Sequence, residues 1–116
     1  MQRGEIRLVD LEPVRGSEAS KRRPAIVVSN DRANAAAARH GRGVVTVVPV
    51  TSNIARILPF QVLLSEGSGL RVASKAQAEQ VRSVDVGRLG PVLGHVPAQV
   101  MQALDAALRL HLALEL

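Results

Sequence analysis

Three consecutive cations, Lys21, Arg22 and Arg23, stand directly before Pro24 and the apolar run that follows it. Lys and Arg side chains at the mouth of a buried strand can bind anionic groups such as phosphates. Charge alone favours a plainer interpretation, in which the triplet is a solvated run on the surface. The triplet therefore indicates a function only in combination with other groups.

Two hydroxyl residues, Thr51 and Ser52, follow the strongest strand pattern of the chain, the β-branched run 44–50. Pro49 cannot donate a hydrogen bond to a neighbouring strand, so pairing must loosen there at an edge or a bulge. The two hydroxyls are thus predicted where the chain leaves the sheet. A threonine in this place is commonly only a strand former, so Thr51 is not diagnostic by itself.

Other catalytic chemistries find little support in the sequence. His40, His95 and His111 lie far apart, no acidic cluster is present and Cys is absent, so neither a metal site nor a cofactor is predicted. A two-histidine ribonuclease is chemically conceivable because His titrates near neutral pH. However, His40 is expected in a loop and His111 on the terminal helix, and ordinary surface histidines are the favoured interpretation.

The charge balance of the chain is basic, with 15 Lys and Arg against 10 Asp and Glu and a net charge of +5. Such an excess favours polyanions or an acidic partner protein. Because Phe60 is the only aromatic residue, base stacking would need Phe60 or Arg planes, and a passive RNA-coating module is disfavoured. The absence of Cys, of a signal-peptide pattern and of an apolar span predicts a cytoplasmic protein with no membrane partner.

Short apolar runs between turn residues predict one mainly β domain with helices (α+β), a small barrel over residues 1–116. The predicted strands are 6–11, 24–29, 44–50 and 58–64, with weaker ones around 76–84 and 90–96. A short helix capped by Asn30 or Asp31 is expected to end at Gly41 or Gly43. A longer helix, 97–114, is expected to carry an Asp105–Arg109 pair. Such an architecture does not specify a function.

The order of these segments resembles the MazF/PemK toxin family along nearly the whole chain. The matching segments are G-E-I-R-L-V-D-L-E-P-V-R-G-S-E (4–18), K-R-R-P-A-I-V-V-S-N-D (21–31), V-V-P-V-T-S (47–52) and A-E-Q-V-R-S-V-D (78–85), before the terminal helix. An isolated R-P dipeptide would be uninformative, whereas this ordered set is highly specific. The chain departs from the family in the first strand, where Leu8 and Leu11 stand in place of frequent aromatic residues.

The resemblance implies a single toxin domain with a CcdB/MazF-type fold, an SH3-like barrel with a C-terminal helix, assembled as a homodimer. It also implies sequence-selective, metal-independent cleavage of single-stranded RNA to 2′,3′-cyclic phosphate and 5′-hydroxyl ends. The family's catalytic Arg, directly before Pro, falls on Arg23, and its catalytic Thr falls on Thr51. The positions that match RNA contacts are Ser17, Lys21, Arg22, Ser52 and Gln80.

The resemblance further implies a cognate antitoxin whose flexible acidic tail occupies the RNA groove. Two alternatives stay open from the sequence. One is a CcdB-like toxin that binds gyrase, although that group depends on a Trp near its C-terminus and this chain has no Trp. The other is a basic module that binds RNA without cutting it.

Overall fold

The computed structural model describes residues 1–19, 21–65 and 67–115. Within these ranges the chain forms seven strands and two α-helices, which we number in chain order. The strands are β1 (Glu5–Asp10), β2 (Arg22–Val27), β3 (Val44–Thr51), β4 (Gln61–Leu64), β5 (Ser74–Gln77), β6 (Arg82–Asp85) and β7 (Leu89–His95), and the helices are α1 (Asp31–His40) and α2 (Ala98–Leu112).

The strands pair antiparallel in the order β4-β5-β3-β2-β1-β7, with β6 paired to β3 beside β5. The predicted mainly β fold with a C-terminal helix is thereby confirmed. The two end strands, β4 and β7, do not pair with each other within the described ranges. The sheet is consequently open rather than closed into a barrel.

Strand β3 supplies side chains to both hydrophobic clusters of the domain, because successive residues of a strand point to opposite faces. Val48 and Val50 pack in one cluster with Leu104 of α2. Val45 and Val47 pack in the other, which also contains residues of β1, β2 and α1. Burial on both faces explains why the sequence of β3 is continuously apolar rather than alternating.

The two helices begin and end close to the predicted residues. The Asn30 side chain caps α1 by accepting the N–H of Ala33, and Gly41 ends the helix in the left-handed conformation. Helix α2 begins at Ala98, after Pro97. Its Asp105 forms an ion pair with Arg3 at 2.6 Å, so the predicted Asp105–Arg109 pair is replaced by a contact to the N-terminal segment. No helix in the described ranges is both long and apolar enough to cross a membrane.

The single strand predicted around 76–84 is wrong, because the chain forms two strands there. The three-residue 3-10 turn Ala78–Gln80 separates β5 from β6. On the other side of β3, the ladder with β2 ends with Ala25 opposite Pro49. The predicted loosening of the sheet at Pro49 is thereby confirmed, since proline lacks the N–H that would continue the pairing.

Candidate active site

A groove of about 430 Å³ opens at the end of the β2–β3 ladder. Three segments of the chain form its walls: the end of the β1–β2 loop with the start of β2, the end of β3, and the connection from β4 to β5. The lining residues are Lys21, Arg22, Arg23, Pro24, Val50, Thr51, Ser52, Gly69, Leu70, Arg71, Val72, Ser74 and Leu93.

Arg23 and Thr51 face this groove from corresponding positions on two neighbouring strands. The last β2–β3 pair joins Ala25 to Pro49, and each residue lies two positions beyond that pair. Side chains two residues apart on a strand point to the same face, so Arg23 lies on the face of Ala25 and Thr51 on that of Pro49. The structure therefore brings together the two residues that the sequence predicted to be catalytic.

The Thr51 hydroxyl has a defined local environment. Its Oγ1 accepts the backbone N–H of Asn53 at 3.2 Å, and the Asn53 side chain accepts the N–H of Ala55 at 3.3 Å. A hydroxyl that accepts one hydrogen bond keeps its own proton for donation. Thr51 is therefore oriented by the chain that follows it and can act as a donor at the groove.

The backbone of Lys21 is held in an uncommon conformation at the start of β2. Its φ of 70° lies in the left-handed region, which residues other than glycine adopt at a cost. Its N–H donates to the Glu12 carboxylate at 2.8 Å, and its carbonyl accepts the N–H of Leu11 at 3.1 Å. These two bonds position the beginning of the basic triplet at the groove.

Gln80 and Ser17, predicted to contact RNA, lie outside the lining of the groove. The Gln80 side-chain oxygen accepts the N–H of Ala19 at 2.9 Å, and its amide donates to the Ser17 carbonyl at 3.1 Å. Gln80 thus fastens the loop that precedes Lys21 to the turn between β5 and β6. Of the five predicted RNA contacts, Lys21, Arg22 and Ser52 line the groove.

Arg71 and Ser74 are groove residues that the sequence did not single out. Arg71 is exposed, and it lies in a connection that carries no recognisable motif. Arg71 brings the number of cationic side chains in the groove to four. The other three are Lys21, Arg22 and Arg23. None of the lining residues that the structure describes is acidic. This concentration of positive charge is suited to a polyanion.

One wall of the groove depends on a close crossing of two backbones. Gly69, between β4 and β5, passes so near to β7 that a Cβ built on it would lie 2.0 Å from the Leu93 carbonyl oxygen. A Cβ on Gly94 would lie 1.9 Å from the Ser68 carbonyl oxygen. Real side chains cannot approach backbone atoms so closely, so both positions require glycine. This crossing of the two backbones places Leu93 beside the segment 69–72.

The remaining candidates for chemistry lie elsewhere. Phe60, considered above as a stacking residue, contacts the His111 ring of α2 at a centroid distance of 6.1 Å. His40 is the last residue of α1 and His95 the last of β7. In the ranges 1–19, 21–65 and 67–115, no three His, Asp or Glu side chains converge as metal ligands would.

Comparisons with known proteins identify the family of the chain. The profile of the PemK-like, MazF-like toxins of type II toxin–antitoxin systems matches residues 2–112. The endoribonuclease MazF9 of Mycobacterium tuberculosis is 64% identical over 115 residues, which cover 98% of each chain.

Two solved structures share the fold over nearly the whole chain. The crystal structure of MazF from Deinococcus radiodurans has a TM-score of 0.81 at 29% identity, covering 97% of this chain and 96% of the other. An endoribonuclease of a mycobacterial species, solved in complex with its cognate antitoxin, has a TM-score of 0.77 at 25% identity and covers 100% and 98%. The chain therefore belongs to the family of PemK-like, MazF-like toxins of type II toxin–antitoxin systems.

Proposed function

We propose that this chain is an endoribonuclease toxin that cleaves single-stranded RNA without a metal ion, in the cytoplasm and as a homodimer. The observation that carries the proposal is the joint placement of Arg23 and Thr51 on one cationic groove of a MazF-type fold. The products would be a 2′,3′-cyclic phosphate on one fragment and a 5′-hydroxyl on the other.

In this reaction the ribose 2′-hydroxyl loses its proton and its oxygen attacks the neighbouring phosphorus, while the 5′-oxygen of the next nucleotide leaves and takes up a proton. Negative charge accumulates on the equatorial phosphate oxygens as the new bond forms. The planar Arg23 guanidinium can donate to two of these oxygens at once. Because an arginine side chain stays positively charged in proteins, the role of Arg23 is to stabilise charge rather than to accept the 2′-proton.

Thr51 supplies the second group of the proposed centre. Its hydroxyl, oriented by the bond from Asn53, can donate to an equatorial oxygen or help to protonate the leaving 5′-oxygen. Ser52, the next residue in the chain, also lines the groove and offers a further polar contact to the substrate. Two fixed donors aimed at one phosphate are the arrangement that stabilises a charged transition state most effectively.

Substrate binding is assigned to the cations around this centre. Lys21 and Arg22 would hold flanking phosphates, and Arg71 adds positive charge from the connection between β4 and β5. Direct contact of Ser17 and Gln80 with RNA stays a prediction of the family resemblance. The bonds of Gln80 support a second contribution, which is to hold the loop that carries Lys21.

Several exposed apolar side chains, some of them at or next to the groove, support the proposed homodimer. Ile54, Ile57, Leu63 and Val72 are large hydrophobic residues with exposed side chains. Val72 lines the groove itself, and Ile54 and Ile57 belong to the segment that follows Ser52. Dimerisation that buries such residues would be favourable in water.

The proposed partner is a cognate antitoxin with a flexible acidic tail that enters the same groove. We expect a synthetic peptide rich in Glu and Asp to inhibit RNA cleavage competitively, with inhibition that weakens as salt is raised, because both ligands neutralise the same cations. A peptide of the same length with Lys in place of the acidic residues serves as the control. Binding of the acidic peptide without any change in cleavage would show that the two sites are separate.

Cleavage of a mixed RNA by the purified protein in EDTA tests the proposed activity. We expect discrete fragments that end in cyclic phosphate, and sequencing of the fragment ends gives the recognition motif. RNA that is bound but stays intact would support a non-cleaving RNA-binding module instead. Intact RNA together with inhibition of gyrase would support a CcdB-like toxin.

A further inference from the structure

Lys75 is a buried lysine that stands beside the proposed catalytic threonine and that neither the fold nor the proposed chemistry explains. It lies on β5 directly opposite Thr51 in the β3–β5 ladder. Only 9% of its surface is exposed. Its Nζ donates to the backbone carbonyl of Arg56 at 2.6 Å.

The face of β5 that carries Lys75 is turned away from the hydrophobic cluster that contains Val50 and Leu104. Ala76, the next residue, packs in the core with Val50, so Lys75 and Thr51 share the opposite face. An ammonium group buried there is costly unless it donates to good acceptors, and an apolar side chain would cover the same strand at lower cost. The hydrogen bond that Lys75 makes must therefore be the reason for a lysine at this position.

That bond is part of a series of contacts that fasten the segment 52–60 onto the outer face of β4 and β5. At its start, Asn53 donates to Thr51 Oγ1. In its middle, the Arg56 carbonyl accepts from Lys75. At its end, the N–H of Leu58 donates to Gln61 Oε1 at 2.9 Å, and Gln61 is itself only 8% exposed.

The segment has little hydrophobic anchoring of its own. Residues 52–57 are all exposed, Ile54 and Ile57 included. Polar contacts therefore determine where it lies, and the Lys75 bond is the one that holds its centre. Because charged donors form stronger hydrogen bonds than neutral ones, loss of this contact should release the segment more than loss of either neighbour.

We propose that Lys75 is a positioning residue, which holds the segment 52–60 through the Arg56 carbonyl and so keeps Thr51 and Ser52 in a productive place at the groove. The proposal rests on the proposed nuclease function. Misplacing a catalytic donor by about 1 Å can cost roughly 100-fold in rate. A released segment would therefore slow the chemical step while phosphate binding by Lys21 and Arg22, across the groove, is retained.

Two substitutions of Lys75 distinguish the effect of its hydrogen bond from the effects of its side-chain packing and of its charge. Lys75→Met keeps the buried stem but has no donor, whereas Lys75→Gln is neutral and keeps a donor. We expect kcat for Lys75→Met to fall about tenfold with a smaller change in KM, and Lys75→Gln to recover part of that loss. Arg39→Ala, an exposed change on α1 at a residue that does not line the groove, is the control.

Trypsin provides a readout that does not depend on RNA, because it cleaves after Arg56, whose carbonyl Lys75 binds. We expect cleavage after Arg56, measured relative to cleavage after exposed Arg15 in the other loop, to rise about tenfold in Lys75→Met and less in Lys75→Gln. An unchanged ratio, or equal loss of kcat in both variants, would overturn the proposal. If Lys75→Met shows the expected rise in trypsin cleavage but the unsubstituted protein cuts no RNA, the proposed function is refuted and the positioning of the segment is not.

Discussion

Replacing Arg23 or Thr51 with alanine is expected to lower the rate of RNA cleavage by about 100- to 1,000-fold, the usual loss when one donor to a developing oxyanion is removed. The two residues line the same groove from corresponding positions beyond the Ala25–Pro49 pair. Single-turnover cleavage of a short RNA that contains the preferred site measures the effect on the chemical step directly.

A variant that carries both Arg23→Ala and Thr51→Ala shows whether the two residues act together on one phosphate or independently. If Arg23 and Thr51 act on the same phosphate, the loss in the double variant should be clearly smaller than the product of the two single losses. Arg23→Lys is a useful intermediate, because it keeps the charge and loses the planar fork. We expect it to recover only part of the rate.

Controls must show that the variants stay folded and assembled. Thermal unfolding and sedimentation should match those of the unchanged protein, and Arg39→Ala should keep full activity because Arg39 lies at the exposed end of α1. An Arg23→Ala enzyme with undiminished cleavage would end the assignment of this groove as the active site.

The parts of the site that could be predicted are those determined by local chemistry. The β-branched run before Pro49 identifies a buried strand, and the missing N–H of Pro49 indicates where its pairing changes. Together they place Thr51 correctly at the end of β3. Arg23 lies within β2, which begins at Arg22, two residues before the predicted start of this strand at Pro24.

The parts that could not be predicted depend on contacts between distant segments. Gln80 bonds a loop 61 residues away, and Asp105 pairs with a residue 102 positions earlier. Nothing in the local sequence around either residue indicates its partner. The break between β5 and β6 was missed for a different reason, because the turn Ala78–Gln80 contains neither Gly nor Pro.

Lys75 illustrates the same limit at the site itself. A lysine on a strand is ordinarily interpreted as a marker of a solvated face. Its burial becomes visible only when the segment 52–60 is placed over it, since the contact is made to a backbone carbonyl, which every residue has. The family resemblance therefore identified the two catalytic candidates, whereas the residues that hold them required the three-dimensional arrangement.

The second large effect is expected at the backbone crossing that seats one wall of the groove. Gly69→Ala should lower the free energy of unfolding by about 1–3 kcal/mol more than Gly67→Ala, because only the former forces a Cβ against backbone that cannot move aside. Both glycines have a positive φ, 95° and 107°, but a Cβ on Gly67 would meet nothing within 4 Å. The conformational strain of alanine is thus similar in the two variants, and their difference isolates the contact with Leu93.

Gly94→Ala tests the crossing from the other strand, without the contribution of a positive φ. Its Cβ would lie 1.9 Å from the Ser68 carbonyl oxygen, so the 67–72 segment must move away from β7 for the protein to fold. Since Gly69, Arg71 and Leu93 all line the groove, this movement should also lower kcat/KM for RNA, whereas Gly67→Ala should leave it nearly unchanged. Urea unfolding and cleavage assays on the same preparations measure both effects. If Gly69→Ala and Gly94→Ala proved as stable and as active as Gly67→Ala, the crossing would not be what holds this wall, and the groove would have to be maintained by the β1–β2 loop and β3 alone.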